Sequence, residues 1–217
     1  MTNKSFFIEI EAPEFAGKTT LIDNLKIELK SSNLNWSFIR LPGFTDFGEE
    51  CRKLLKYHNA SDEARLGLAF AAHMDAYKNM DPMQNYIVDR ALNSCIVYQG
   101  YFSKLKEKRP DLFNIFIKTI KQEIDKNFNR YVIYLDITVE EILKRRNKNI
   151  RKEEIIGKKD IYDSLSLDKM RDLVYYYKKA IFDSNINSEN KLLCINAALS
   201  PKEISNIAKD WITNKIK

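Results

Sequence analysis

Residues Phe6 to Thr20 read FFIEIEAPEFAGKTT, an apolar strand pattern that runs straight into AGKTT and then into a helix. Gly17, Lys18 and Thr19 fit the end of the GxxxxGK[ST] phosphate loop, while Ala12 stands where its first glycine belongs. In such a loop backbone N–H groups face phosphate oxygens, the lysine reaches the β- and γ-phosphates, and the hydroxyl ligates Mg²⁺. The following helix starts at the loop, so its N-terminal dipole favours the anion. Ala16, Gly17, Lys18, Thr19 and Thr20 are therefore the candidate ATP-binding residues.

A second pair, Asp89-Arg90, ends the short apolar run Tyr86-Ile-Val. A carboxylate at a strand end can reach Mg²⁺ or its water shell, which makes Asp89 the second candidate metal group beside Thr19; it can also cap the next helix. The fixed guanidinium fork of Arg90 suits a phosphate held through two hydrogen bonds. A third feature is the run Lys144 to Lys159, KRRNKNIRKEEIIGKK, which by itself reads as a solvated basic loop or a nucleic-acid patch.

Positioning these groups requires strands that end at them. Strands are expected from Phe6 into the loop and over Trp36 to Arg40, Tyr86 to Asp89, Arg130 to Asp136 and Lys191 to Ile195. Helices are expected over Thr19–Lys30, Asp46–Tyr57, Asp62–Asn79, Ala91–Lys106, Pro110–Phe128, Thr138–Asn147, Ser166–Phe182 and Pro201–Ile216, with Thr138 and Glu141 forming a capping box. Alternating strands and helices imply an α/β fold: a five-stranded parallel sheet in a three-layer α/β/α sandwich, with ligands at the carboxyl ends of the strands.

With 217 residues the expectation is one domain spanning 1–217. Hydrophobic residues at 44% and charged residues at 30% fit a globular protein, and no apolar run reaches the roughly 20 residues of a membrane span. MTNKSFFIEI lacks a signal-peptide pattern, so a cytoplasmic location without membrane contact is expected. Cys51, Cys95 and Cys194 are widely spaced and read as reduced, buried thiols. The net charge of +6 suits nucleotide substrates or a lysine-rich surface, and nucleic-acid binding is the less favoured reading.

Taken together, six segments in order resemble the thymidylate kinase family of P-loop nucleoside monophosphate kinases, across nearly the whole chain. The family's FEGxDGAGKTT is similar to Ile10 to Thr20. REPGGTxxxExxR resembles Arg40 to Arg52, and FAADR resembles Phe70 to Met74. DRYxxSSxAYQG resembles Asp89 to Gly100, YLDVPPEVxLKR resembles Tyr134 to Arg145, and DASQSxEEV resembles Asn196 to Ile204.

The resemblance implies Mg²⁺-ATP-dependent phosphorylation of a pyrimidine deoxynucleoside monophosphate, dTMP first, by a homodimer. It implies that Lys18 holds the transferring phosphoryl group, that Arg90 and Arg52 grip the acceptor phosphate, and that Glu14 lies near the sugar and metal. Phe70 is core on its residue pattern, whereas the resemblance makes it the ring that stacks on the base. Tyr98, Gln99 and Cys95 come beside the acceptor, and Ala197 beside ATP. The basic run falls where the family has a lid, about 146–165. No arginine sits in the phosphate loop, so Arg145, Arg146, Arg151 and Lys158 are candidates for the transition-state cation, with Arg145 favoured at the donor phosphates and Arg151 in the lid.

Several residues depart from the pattern. Ala12 and Phe15 replace loop glycines, Ala91 replaces a tyrosine and Cys95 a serine. Met74 replaces the arginine that in the family hydrogen-bonds thymine, which a thioether cannot do. Two alternatives therefore stay open: a kinase for another or modified pyrimidine nucleotide or nucleoside, and a non-catalytic P-loop domain that binds nucleotide or nucleic acid.

Overall fold

A computed structural model describes residues 4–31, 34–153, 165–183 and 190–216. Five strands, β1 (Ser5–Glu11), β2 (Trp36–Arg40), β3 (Asn85–Asp89), β4 (Phe128–Asp136) and β5 (Leu192–Asn196), pair in the order β2-β3-β1-β4-β5. Every pair is parallel, as the alternating pattern required. Parallel neighbours need crossovers, and helices supply them: α1 (Lys18–Glu28), α2 (Asp46–Tyr57), α3 (Asp62–Asn79), α4 (Leu92–Cys95), α5 (Leu105–Lys108), α6 (Pro110–Asn127), α7 (Val139–Glu153), α8 (Leu167–Phe182) and α9 (Pro201–Ile216).

The period-two alternation of β1 sends its side chains into two cores. Ile8 and Ile10 pack with Leu21 and Leu25 of α1, Tyr177 of α8 and Ile204 of α9. Phe7 packs on the other face with Leu66 and Ala69 of α3 and Ile120 and Ile124 of α6. Each such fully buried aliphatic side chain contributes about 1.5–3 kcal/mol. Glu9 and Glu11 share the Phe7 parity and are wholly buried, and both carboxyl groups find hydrogen-bond partners. Glu9 takes the Arg130 guanidinium and the Asn93 amide, while Glu11 accepts from the N–H groups of Ala91 and Ser94 and so caps α4.

The pairing register aligns Arg40 with Asp89 and Asp89 with Ile10, so the carboxyl ends of β2, β3 and β1 form one row. This row is the floor of the site.

Four expectations change in detail. The helix expected over Ala91–Lys106 is broken: α4 widens into a π-helical stretch, Ile96–Phe102, before α5. Gly100 in that stretch lies against Phe113, where an added Cβ would meet the ring at 2.5 Å, so only glycine allows the approach. Strand β4 starts at Phe128, ahead of Arg130, because that ring fills the space between Phe7 and Tyr86. Helix α7 continues past Asn147 to Glu153, so the start of the expected lid is helical, and residues 154–164, Lys158 included, lie outside the described residues. Cys51 and Cys95 are buried thiols, but Cys194 is exposed, as a residue of β5.

Candidate active site

The phosphate loop joins β1 to α1. Gly17 has φ +98 and opens α1. Phe15 adopts φ +62, the left-handed region that favours glycine, at a cost of about 1–2 kcal/mol. Ala12 is not among the residues with positive φ, and its methyl group is buried in the core, so alanine meets no backbone penalty there. Lys18, 7% exposed, folds back to donate to the carbonyls of Ala12 and Pro13, each at 3.0 Å. Burial and the nearby charge of Arg90 bring its pKa down to about 7, against the opposing pull of Glu14, Asp89 and Glu11. A cavity above the loop is lined by Glu14, Phe15, Gly17, Lys18, Thr19, Thr20, Arg40, Arg90 and Arg145.

Arg145 reaches this cavity from α7 and ties three segments together. It pairs with Glu141 at 2.8 Å, donates to the Phe15 carbonyl at 3.1 Å, and donates to the carbonyl of Ala197 after β5. Ala16 itself is buried beneath the loop. Arg146 turns away to the carbonyl of Leu165. The side chain of Arg151 lies outside the described residues.

Arg90 is the hub between the loop and a second, adjoining cleft. Its backbone has φ +67, and its side chain donates to Tyr177 Oη at 2.6 Å, Glu14 Oε1 at 2.7 Å and the Ala12 carbonyl at 3.3 Å. Burial opposes its charge, but Tyr177, Tyr98, Glu14 and Asp89 hold its pKa well above the ordinary arginine value. Burial would likewise raise Glu14; Arg90, Lys18 and the Tyr98 hydroxyl outweigh it and hold this carboxyl below its usual range. Tyr98 donates to Glu14 at 2.6 Å.

The second cleft is walled by Arg40, Pro42, Arg52 and Leu55 on one side and by Arg65, Ala69, His73, Cys95, Tyr98 and Gln99 on the other. It brings together the expected Glu14, Arg52, Arg90, Cys95, Tyr98 and Gln99. Arg52 also pairs with Glu49 at 2.8 Å. Burial and Glu11 push the Cys95 thiol up to about 12, which keeps it protonated.

Phe70 and Met74 are the exceptions. The face of α3 on the cleft is the stripe Arg65, Ala69, His73 at four-residue spacing, and Phe70 and Met74 are each one position, about 100°, further round. Phe70, half-buried, stacks on Phe116 of α6 with centroids 4.4 Å apart and packs against the edge of the core, away from the cleft. Met74 lines a different groove with Asp75, Tyr77 and Lys78.

Residues missed in the sequence complete the site. Arg40 lines both cavities and pairs with Asp89 Oδ2 at 3.3 Å. Arg65 and His73 line the cleft, and Tyr177 and Ser94 hold Arg90 from behind. The signal for Arg40 was its strand-end position; the others carried none beyond helical phase.

A Mg²⁺ ion keeps water and substrate phosphate oxygens as most of its ligands, so it needs only one or two protein groups. Among the described residues no cluster of three His, Cys, Asp or Glu could hold a metal ion. Asp89, 8% exposed, nevertheless has its Oδ1 buried without a hydrogen-bond partner, and the Thr19 hydroxyl lines the loop cavity. Those two groups fit the ion.

The family model for thymidylate kinase matches residues 10–205. The chain is 30% identical to the thymidylate kinase of Buchnera aphidicola subsp. Schizaphis graminum, across 98% of this chain and 99% of that protein. It is 31% identical to the thymidylate kinase of Clostridium novyi over 70% of this chain and 75% of that one, and 31% identical to that of Bacillus pumilus over 68% and 71%. With this extent of match, carried on a parallel sheet that ends in a phosphate loop, the chain belongs to the thymidylate kinase family.

Proposed function

We propose that this chain transfers the γ-phosphoryl group of ATP to a pyrimidine deoxynucleoside monophosphate, dTMP foremost. The observation that carries the reading is a shared wall: Glu14, Arg40 and Arg90 line both the phosphate-loop cavity and the adjoining cleft. Transfer between two phosphate-bearing ligands requires two sites that meet at positive charge, since catalysis here is positioning and charge neutralisation. Arg40, Arg52, Arg65 and Arg90 around one cleft favour an acceptor that already carries phosphate over a bare nucleoside.

In this reading Lys18 leaves the carbonyls of Ala12 and Pro13 for the donor phosphates, and Ala16 to Thr20 form the donor cradle. Arg90, oriented by Glu14, grips the acceptor phosphate with Arg52, while Arg145 fixes the loop against Ala197. Arg151 supplies a lid cation. Mg²⁺, held through Thr19 and Asp89, would neutralise charge on the donor phosphates. The proposal includes a homodimer, which sedimentation tests directly. The non-catalytic alternative loses one of its supports, because Ala12 sits in backbone that alanine adopts freely, whereas Phe15 does occupy a conformation that favours glycine. A coupled assay of ADP release across a panel of nucleoside monophosphates tests the reading; no turnover with any of them overturns it.

A further inference from the structure

We propose that His73 and Tyr77 form the base-reading element of the second cleft, and that their two hydrogen-bonding states admit pyrimidine monophosphates with either a carbonyl or an amino group at position 4. The inference rests on the reading of this cleft as the acceptor site. Helix α3 presents Arg65, Ala69 and His73 to the cleft, and Tyr77, one turn on, lines the neighbouring groove with Met74 and so backs His73 without facing the cleft itself. His73 is 2% exposed, and its Nδ1 lies 3.0 Å from the Tyr77 hydroxyl. Burial lowers the imidazole to about 4 and raises the phenol, so both groups are neutral near pH 7.

A neutral imidazole carries one donor and one acceptor nitrogen, and a phenol hydroxyl can give or take. When Tyr77 donates to Nδ1, the ring proton sits on Nε2 and the ring is a donor, which suits the 4-carbonyl of thymine or uracil. When Nδ1–H donates to Tyr77, Nε2 is an acceptor and suits the 4-amino group of cytosine. The exchange moves protons without changing net charge. Gln99, also in the cleft wall, has an amide that can present either end to the neighbouring ring nitrogen. A guanidinium in place of His73 could only donate, and two opposed buried donors separate substrates by roughly 10⁴-fold. With Met74 rotated into another groove, the base-reading role on this face of α3 falls to a group that can do both.

The test measures kcat/KM for dTMP, dUMP and dCMP in wild type, His73→Leu and Tyr77→Phe, with long-range ¹H–¹⁵N spectra of the protein's two histidines. Wild type is expected to use dTMP and dCMP within about tenfold of each other. The His73 nitrogen shifts should exchange between the two complexes. Tyr77→Phe removes the Nδ1 partner in both states, so kcat/KM should fall at least tenfold for dTMP and for dCMP while the KM for ATP holds. A wild-type preference for dTMP above about 10³, or kcat/KM unmoved for both substrates in both variants, overturns the inference while leaving the kinase reading intact. Absence of turnover with every monophosphate overturns both.

Discussion

Lys18 and Arg90 donate to one atom: the carbonyl oxygen of Ala12 lies 3.0 Å from Lys18 Nζ and 3.3 Å from Arg90 Nη1. Two cations crowd one neutral acceptor, and Arg90 is, after burial, the largest influence lowering the lysine pKa. Phosphate oxygens brought between them would relieve that repulsion, so the pair is set for anions on both sides of the shared wall. Lys18→Ala should therefore cut phosphoryl transfer by about 10³-fold or more while shifting the melting temperature by only a few degrees. Turnover within tenfold of wild type would sink the assignment of Lys18.

Arg145 engages each of its three side-chain nitrogens, Nε with Glu141, Nη1 with the Phe15 carbonyl and Nη2 with the Ala197 carbonyl. It holds the strained Phe15 turn from outside, so its loss should loosen the loop and raise KM for ATP about tenfold or more. Lysine brings a point charge without the planar fork and should not restore the wild-type value. Steady-state kinetics of Arg145→Ala and Arg145→Lys decide the matter; full rescue by lysine would reduce the arginine to a simple charge.

The loop and the sheet were legible because their signals are periodic. Apolar alternation in β1 and β3 fixed the strand ends, and those ends placed Lys18, Asp89 and Arg90 correctly at the carboxyl edge. Helix phase was not legible in LGLAFAAHMDAY, where both Ala69–His73 and Phe70–Met74 make plausible stripes. Only tertiary packing of Phe70 on Phe116 chooses between them. The tyrosine run of α8 poses the same problem: Tyr175 is exposed, Tyr176 is half-buried, and Tyr177 alone is fully buried at the site. Glu11 was hidden for another reason, since a carboxylate inside an apolar strand announces nothing until the helix it caps is in place.

Glu11 and His73 give the folded state two opposing responses to pH. Burial and the charge of Glu9 raise Glu11 from 4.5 to about 7, so between those values the folded state binds the extra proton and stability falls as pH rises. Burial lowers His73 from 6.5 to about 4, so there the unfolded chain binds the extra proton and stability rises with pH. Each effect is at most roughly 3 kcal/mol and the windows overlap, so they offset in wild type. Relative to wild type, Glu11→Gln should gain stability as pH goes from about 4.5 to 7, and His73→Gln should lose its rise. Urea midpoints between pH 4.5 and 8 check both; parallel curves for all three proteins would refute the opposition.

Tyr177 lies outside both cavity walls yet makes the shortest contact to Arg90, 2.6 Å from Nη1, and its hydroxyl is 2.9 Å from Ser94 Oγ. It joins α8, the helix that follows residues 154–164, to the arginine proposed to grip the acceptor. Tyr177→Phe keeps the ring, which stacks on Tyr134, and removes only the hydroxyl. A hydrogen bond to a charged group is worth about 1.5–3 kcal/mol, so the acceptor KM should rise about tenfold or more. ATP KM should stay near wild type, because Lys18 and Arg145 make no hydrogen bond to this hydroxyl. Parallel rises in both KM values would mean that the hydroxyl supports the whole fold, and no change in either would mean that Glu14 and the Ala12 carbonyl suffice to orient Arg90.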